Sequence, residues 1–296
     1  MGELAALTSS AMWAVASLLF AQVGRDVAPV VINLLKCAIG LALMVVTLVL
    51  LEGTVWPTGI GGRALVWLAL SGFVGLTIGD TAFFQSLVRI GPRRTLLLFA
   101  LVPPMTAVLG ALVLGEPITI ALGVGMALTL GGITWVIRER QPDDAATGAS
   151  VVRAGVAFGI LAAICQSAGN VLTKLGATEA SALAVSVVRL AFGGLGIGLQ
   201  VALMGRLLEA TKPLRSRVQG SRLALGTFLG TYIGIWLMNA GLMGADVGVA
   251  STLNSTSPIF VLPLAVFVLG ERVSARAVFG AVLAVAGVAV LFLFAP

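Results

Sequence analysis

One segment of this chain occurs twice. Residues Gly75 to Thr134 and Gly230 to Ala289 align without a gap, the second shifted by 155 positions. The alignment pairs Gly75 with Gly230, Gly79 with Gly234, Pro103 with Pro258, Gly125 with Gly280 and Gly132 with Gly287. It also pairs the corner Val113-Leu114-Gly115-Glu116 with Val268-Leu269-Gly270-Glu271. These residues fix backbone geometry, and chance similarity between apolar stretches would not favour them. The flanking helices align as well at a shift of 153, which sets Lys36 against Arg189 and Trp13 against Gln166. The chain is therefore a duplicated unit, and any fold must accommodate two copies of one structure.

The copies are too apolar for a water-soluble domain. Only 10% of the 296 residues are charged and 59% are hydrophobic, against about 25% charged in soluble proteins. About 20 apolar residues cross the hydrocarbon layer as a helix. Ten runs of that kind are found, at 4–23, 29–51, 64–88, 95–114, 118–137, 154–176, 181–204, 223–243, 247–269 and 274–294. Within lipid each backbone polar group must bond inside its own segment, so these runs are helices. A β-barrel would need apolar and polar residues in alternation, and the runs show none. The expected fold is an all-α membrane protein of ten transmembrane helices. The expected domains are a first five-helix repeat over 1–137, a polar linker over 138–153 and a second repeat over 154–296. Five spans per copy is an odd number, so the second copy enters the membrane from the opposite side. Such inverted repeats are the architecture of secondary transporters, with the site near the midplane between the halves.

Charge placement agrees with a membrane protein. The net charge is +6, and the cations sit in the connections, which argues against a nucleic-acid partner. Fourteen of the eighteen Lys and Arg residues fall in connections after the odd-numbered spans; the even connections hold Arg63 and Lys174. By the positive-inside rule the fourteen face the cytoplasm, which places both termini outside. The basic stretch Gly205 to Arg222 reads as a topology anchor. Glu116 and Glu271 read as helix-start caps, with Pro117 suited to a first helical position. Cys37 and Cys165 lie inside spans and read as small buried residues rather than a disulfide. The N-terminus reads as a retained first helix, since it lacks the basic start and cleavage site of a signal peptide. There is no histidine, hence no histidine metal site or proton relay.

With its ten spans, its five-plus-five duplication, the Trp13 region and the paired Pro103–Glu116 and Pro258–Glu271 segments, the chain resembles the EamA family of the drug/metabolite transporter superfamily. The resemblance spans essentially the whole chain. It implies an exporter or importer of amino acids, other small metabolites or drugs, driven by an ion gradient or by exchange. It also implies an arginine in the second helix of each half, which Arg189 fits, while Lys36 departs from the pattern and keeps the charge. Members that this chain resembles keep both termini in the cytoplasm, contrary to the charge bias.

Ionisable residues inside spans are costly and mark candidate sites. Asp80 comes first, because its repeat counterpart is the uncharged Ile235; its role would be coupling or binding a cationic group. Lys36 and Arg189 are suited to a substrate anion or to internal pairing. Trp13, Ser17, Phe84, Gln166, Asn170, Tyr232, Trp236, Asn239, Asn254 and Ser257 are candidate cavity-lining residues. Pro103 and Pro258 are candidate helix breaks or hinges. Gly193 to Gly198 lies inside an apolar span and reads as helix packing, not a phosphate cradle. No nucleophile–base set appears, so an enzyme is not expected, nor is a cofactor or metal. Expected partners are a small-molecule substrate, the lipid bilayer and a coupling proton or other ion, with the chain a monomer or homodimer in the cell membrane. The rival readings are a transporter of a lipid or lipid-linked phosphate and a non-transporting membrane subunit.

Overall fold

The computed structural model describes residues 1–137, 149–177, 180–257, 259–260 and 275–294. All regular structure among them is helical. Helix α1 covers Gly2–Val23 and α2 covers Pro29–Glu52, which opens with proline and closes at Gly53 with φ 71°. A left-handed residue there satisfies the last carbonyls, and glycine adopts it without strain. Helix α3 (Gly62–Ser71) continues through a widened π turn, Gly72–Gly79, into α4 (Asp80–Phe99). Then follow α5 (Val102–Leu114), α6 (Ile120–Ile137), α7 (Ala149–Gly176) and α8 (Ala182–Leu203). A short turn, Leu207–Thr211, and α9 (Lys212–Arg215) lead to α10 (Arg217–Gly226). A second π turn, Thr227–Ile233, joins α10 to α11 (Gly234–Gly244), and α12 (Val247–Asn254) and α13 (Ala275–Phe294) complete the described elements. Six of the described helices are long and apolar enough to cross a membrane, and three shorter apolar ones accompany them.

The two π turns begin at Gly72 and Thr227, positions that the repeat makes equivalent. The duplication therefore extends to an uncommon backbone form, one frequent at functional sites. Helix α4 also contains a reversal. Phe83 and Phe99 stack with ring centroids 5.0 Å apart, and Ser86 bonds Thr95 at 3.0 Å. In a straight helix residues sixteen apart would lie about 24 Å apart, so the chain turns back between Ser86 and Thr95.

The relation of the halves can be read from their contacts. A methyl group on Gly125 would sit 3.2 Å from the Gly287 carbonyl, and one on Gly132 would meet the Gly280 carbonyl. Gly125 and Gly280 are repeat partners, as are Gly132 and Gly287. The two contacts are thus one contact seen twice, the mark of a two-fold interface. Residue numbers rise along α6 as they fall along α13, so the helices are antiparallel and the pseudo-axis lies across them. That is an inverted repeat.

The first helix of each half crosses to the other half. Gly230 of the second π turn packs on Ala16 of α1, and Gly75 of the first packs on Gly169 of α7. Ala16 and Gly169 are repeat partners too. Small residues let these backbones approach closely, which is how helices associate in lipid.

Several expected boundaries shift. Helix α7 starts at Ala149, inside the expected linker, whose residues 138–148 lie outside the described residues, and the expected span 95–114 is broken at Ala100-Leu101. Helix α6 starts at Ile120, not at Glu116-Pro117, and its first turn is capped by Thr119, whose Oγ1 accepts from the Leu122 amide at 3.1 Å. A hydroxyl at the N-cap satisfies an otherwise orphaned amide. Glu116 is therefore not the cap of this helix.

Candidate functional site

A cavity of about 90 Å³ lies where the two π turns, α1, α2, α4, α7, α8, α11 and α12 meet. Of the residues singled out in the sequence, Trp13, Lys36, Asp80, Gln166, Arg189, Asn254 and Ser257 line it. All three charged candidates share this one space, although they come from α2, α4 and α8.

Lys36 and Asp80 form a salt bridge, and both are buried, Lys36 at 1% exposure. A charge this deep requires a partner. Lys36 Nζ also lies 5.6 Å from the Phe84 ring centroid and 6.0 Å from that of Trp13. These distances fall within cation–π range. Trp13, Phe20, Phe83, Phe84 and Phe99 pack edge-on and tilted against one another around the pair. Asn33, one turn before Lys36, holds α2 in place. Its Nδ2 donates to the Leu76 carbonyl in the first π turn at 2.8 Å and to Thr81 at 3.0 Å.

Arg189 is 2% exposed and finds an amide rather than a carboxylate. Its Nη1 donates to Asn239 Oδ1 at 2.5 Å, while Asn239 Nδ2 donates to Ser186 at 2.7 Å. Arg189 Nε has no partner. A methyl at Gly75 would sit 3.4 Å from Nη2, so the guanidinium lies against the π turn where a side chain would crowd it. The charged residues lining the cavity among those described are two cations and one carboxylate, which leaves one positive charge in excess.

Ser17, Phe84, Asn170, Tyr232, Trp236 and Asn239 are not in the cavity lining. Phe84 and Asn239 touch the charged residues without lining the cavity. Ser17 turns its hydroxyl onto its own helix, at the Ala14 carbonyl. Asn170 accepts from Gln166 at 3.1 Å and keeps a free Nδ2. Tyr232 bonds Thr47 at 2.7 Å and packs against Trp236, joining α2 to the second π turn. Asn254 Oδ1 is unpartnered, and Ser257 donates to the Ser10 carbonyl at 3.1 Å. Pro103 sits in the first turn of α5, just after the helical break at Ala100-Leu101. Pro258 lies outside the described residues.

Ser9, Phe99, Ile235, Met238 and Ser255 line the cavity and were not singled out. Ser9 was within reach of the sequence, since it lies one helical turn before Trp13 and so shares its face. Its hydroxyl donates to the Gly234 carbonyl at 2.8 Å.

Packed, apolar helices around a buried charged cavity define a multi-pass membrane protein. The sequence comparisons agree. Residues 1–138 and 153–293 match the EamA-like transporter family, which covers nearly the whole chain. The chain belongs to that family, within the drug/metabolite transporters, and is a membrane transporter. No curated protein matches it. Among solved structures, one crystal structure of a protein superposes with a TM-score of 0.79 over 99% of this chain and 97% of that one. The two are 21% identical, a likeness of fold alone.

Proposed function

We propose that the protein is a secondary active transporter that exports small organic metabolites such as amino acids or drug-like compounds. It works by alternating access between two inverted halves of five helices each, ten spans in all. The halves are 1–137 and 154–296, joined by the linker 138–153. The observation that carries this reading is the cavity itself, shared by both halves and holding Lys36, Asp80 and Arg189. A site on a pseudo-two-fold axis can be exposed to either face by rocking one half against the other.

In this reading Arg189 and Lys36 offer the anion-binding charge, and Asp80 is the coupling group that Lys36 holds when the site is empty. Asn254 and Gln166 supply orientation, and Trp13 and Phe99 supply shape. The face rich in Lys and Arg is read as cytoplasmic. Because both cations are buried among packed helices, they do not favour the lipid reading.

The test is solute-driven pH change in proteoliposomes with a trapped pH dye. The panel contains amino acids, amines, organic acids and sugar phosphates. Proton flux driven by a carboxylate-bearing solute supports the reading. Silence across the panel, together with no exchange of the same labelled solutes, rules it out.

A further inference from the structure

Glu116 reads in the sequence as a helix cap, but the structure gives it other work. Its Oε1 pairs with Lys174 Nζ at 2.9 Å, and its Oε2 accepts from the Val247 amide at 2.9 Å. Lys174 Nζ also donates to the Ala245 carbonyl at 2.5 Å. Glu116 lies between α5 and α6 in the first half. Lys174 lies in the last turn of α7, and Ala245 to Val247 form the corner between α11 and α12, both in the second half. Three connections on one face of the bundle, from both halves, are thus tied at a single point.

This point stands over the cavity. Along α12, Val247 precedes the cavity residue Asn254 by seven residues, and along α7, Lys174 follows Gln166 by eight. Both paths amount to about 10–12 Å of helix. The space between is filled by buried apolar residues, among them Ala107, Leu122, Val171, Met238 and Leu253. Buried apolar residues, Val171 on α7 and Leu253 on α12 among them, therefore lie between the tie and the cavity residues along both helices.

The repeat does not carry the same groups to the other face, where Glu271 itself lies outside the described residues. The repeat sets Glu271 opposite Glu116, Ala21 opposite Lys174, and Pro92 opposite Val247. Alanine brings no amine, and proline has no N–H to donate. The carboxylate was kept in both copies, and its two partners are present in one.

From these contacts we infer that Glu116, Lys174 and the Ala245–Val247 corner form a one-sided latch that holds this face of the transporter shut and must break before the cavity opens there. The inference rests on the alternating-access reading. It adds that the two faces are gated unequally, with the latched face the harder to open.

Val247→Pro tests it with little disturbance. Position 247 is the first residue of α12, where proline is well tolerated. Asp246 before it has φ -61° and ψ 142°, the extended backbone that a following proline requires. The variant removes one amide donor and copies what Pro92 already does in the other half. Lys174→Met removes the ion pair as a second variant. Access is read with Ser255→Cys in the cavity, Cys37 and Cys165 being replaced by alanine, and a membrane-impermeant thiol reagent applied from each side separately.

We expect labelling from the latched face to rise about tenfold in either variant, the scale of one charge-assisted hydrogen bond, without a rise from the opposite face. Unchanged rates from both faces, in variants whose thermal unfolding matches the parent, would overturn the latch while leaving alternating access in place. A rise from both faces would mean general loosening and would also overturn it. If parent and variants all label from one face only, under every condition, then alternating access fails and the latch fails with it.

Discussion

Lys36 and Arg189 hold the same place in the two halves and meet different chemistry. Lys36 faces Asp80, and the repeat partner of Asp80 is Ile235. Arg189 faces Asn239, and the repeat partner of Asn239 is Phe84. The helix faces beside them match as well. Asn33 and its counterpart Ser186 both bond across to the π-turn helix of their own half, to Leu76 and Thr81 in one and to Asn239 in the other. The scaffold is duplicated, while the charge balance is not. One half closes its cation with an ion pair under an aromatic roof. The other leaves its cation half-satisfied, with Nε free. A symmetric scaffold thereby carries one paired and one partly unpaired cation.

The largest effect is expected at the ion pair. Asp80→Asn leaves Lys36 buried without a countercharge, which costs about 3–5 kcal/mol. Thermal unfolding in detergent should show that loss, and gradient-driven flux should vanish. If flux survives unchanged, Asp80 is not the coupling group. The apolar pair Lys36→Met with Asp80→Leu sharpens the point, since such replacements commonly restore stability. Restored stability without transport makes the pair functional; restored transport makes it a lock.

The comparison can be inverted at Ile235. Ile235→Asp gives the second half the carboxylate of the first, in the cavity that Arg189 lines. The excess positive charge disappears. For a carboxylate-bearing solute KM should rise about tenfold, equivalent to about 1.4 kcal/mol of lost attraction. An unchanged KM would detach Arg189 from the substrate.

The smallest expected effect concerns the two faces rather than the two cations. Asp246 lies beside the latch, and burial pushes its carboxyl above the ordinary 3.8, with Glu116 adding to the rise and Lys174 opposing it. A raised pKa means that the shut arrangement holds the proton more tightly than an open, hydrated one. By linkage the latch is favoured as pH falls toward and through that raised value. Thiol labelling from the latched face should therefore slow by a few-fold on mild acidification. Asp246→Asn should label slowly at all these pH values. Faster labelling of the parent in acid would reverse the sign and refute this.

Much of the site was legible because membrane burial is costly. Lys36, Asp80 and Arg189 stand out in apolar runs, and all three reach one cavity. The polar and aromatic set was legible only in part. A helix turns about 100° per residue, so a polar residue's sequence position does not tell which neighbour it meets. Ser17 satisfies itself on its own backbone, and Tyr232 spends its hydroxyl on Thr47. Asn33 was missed, although it lies on the same helical face as Lys36 and supports it from one turn away. The role of Glu116 was misread because the corner sequence looks like a cap, and its true partners are 58 and 131 positions distant in the chain.

The sequence by itself determined the helical membrane class and the duplication. These follow from local quantities: hydropathy, the requirement that each backbone group bond within its helix, and residues that recur at a fixed shift. Only the tertiary structure decided that α1 and α7 cross to the opposite halves, that Lys36 takes Asp80 while Arg189 takes Asn239, and that Glu116 pairs with Lys174. Those choices depend on how far each helix is rotated and how closely small residues let it approach, and side chains distant in the chain settle both together.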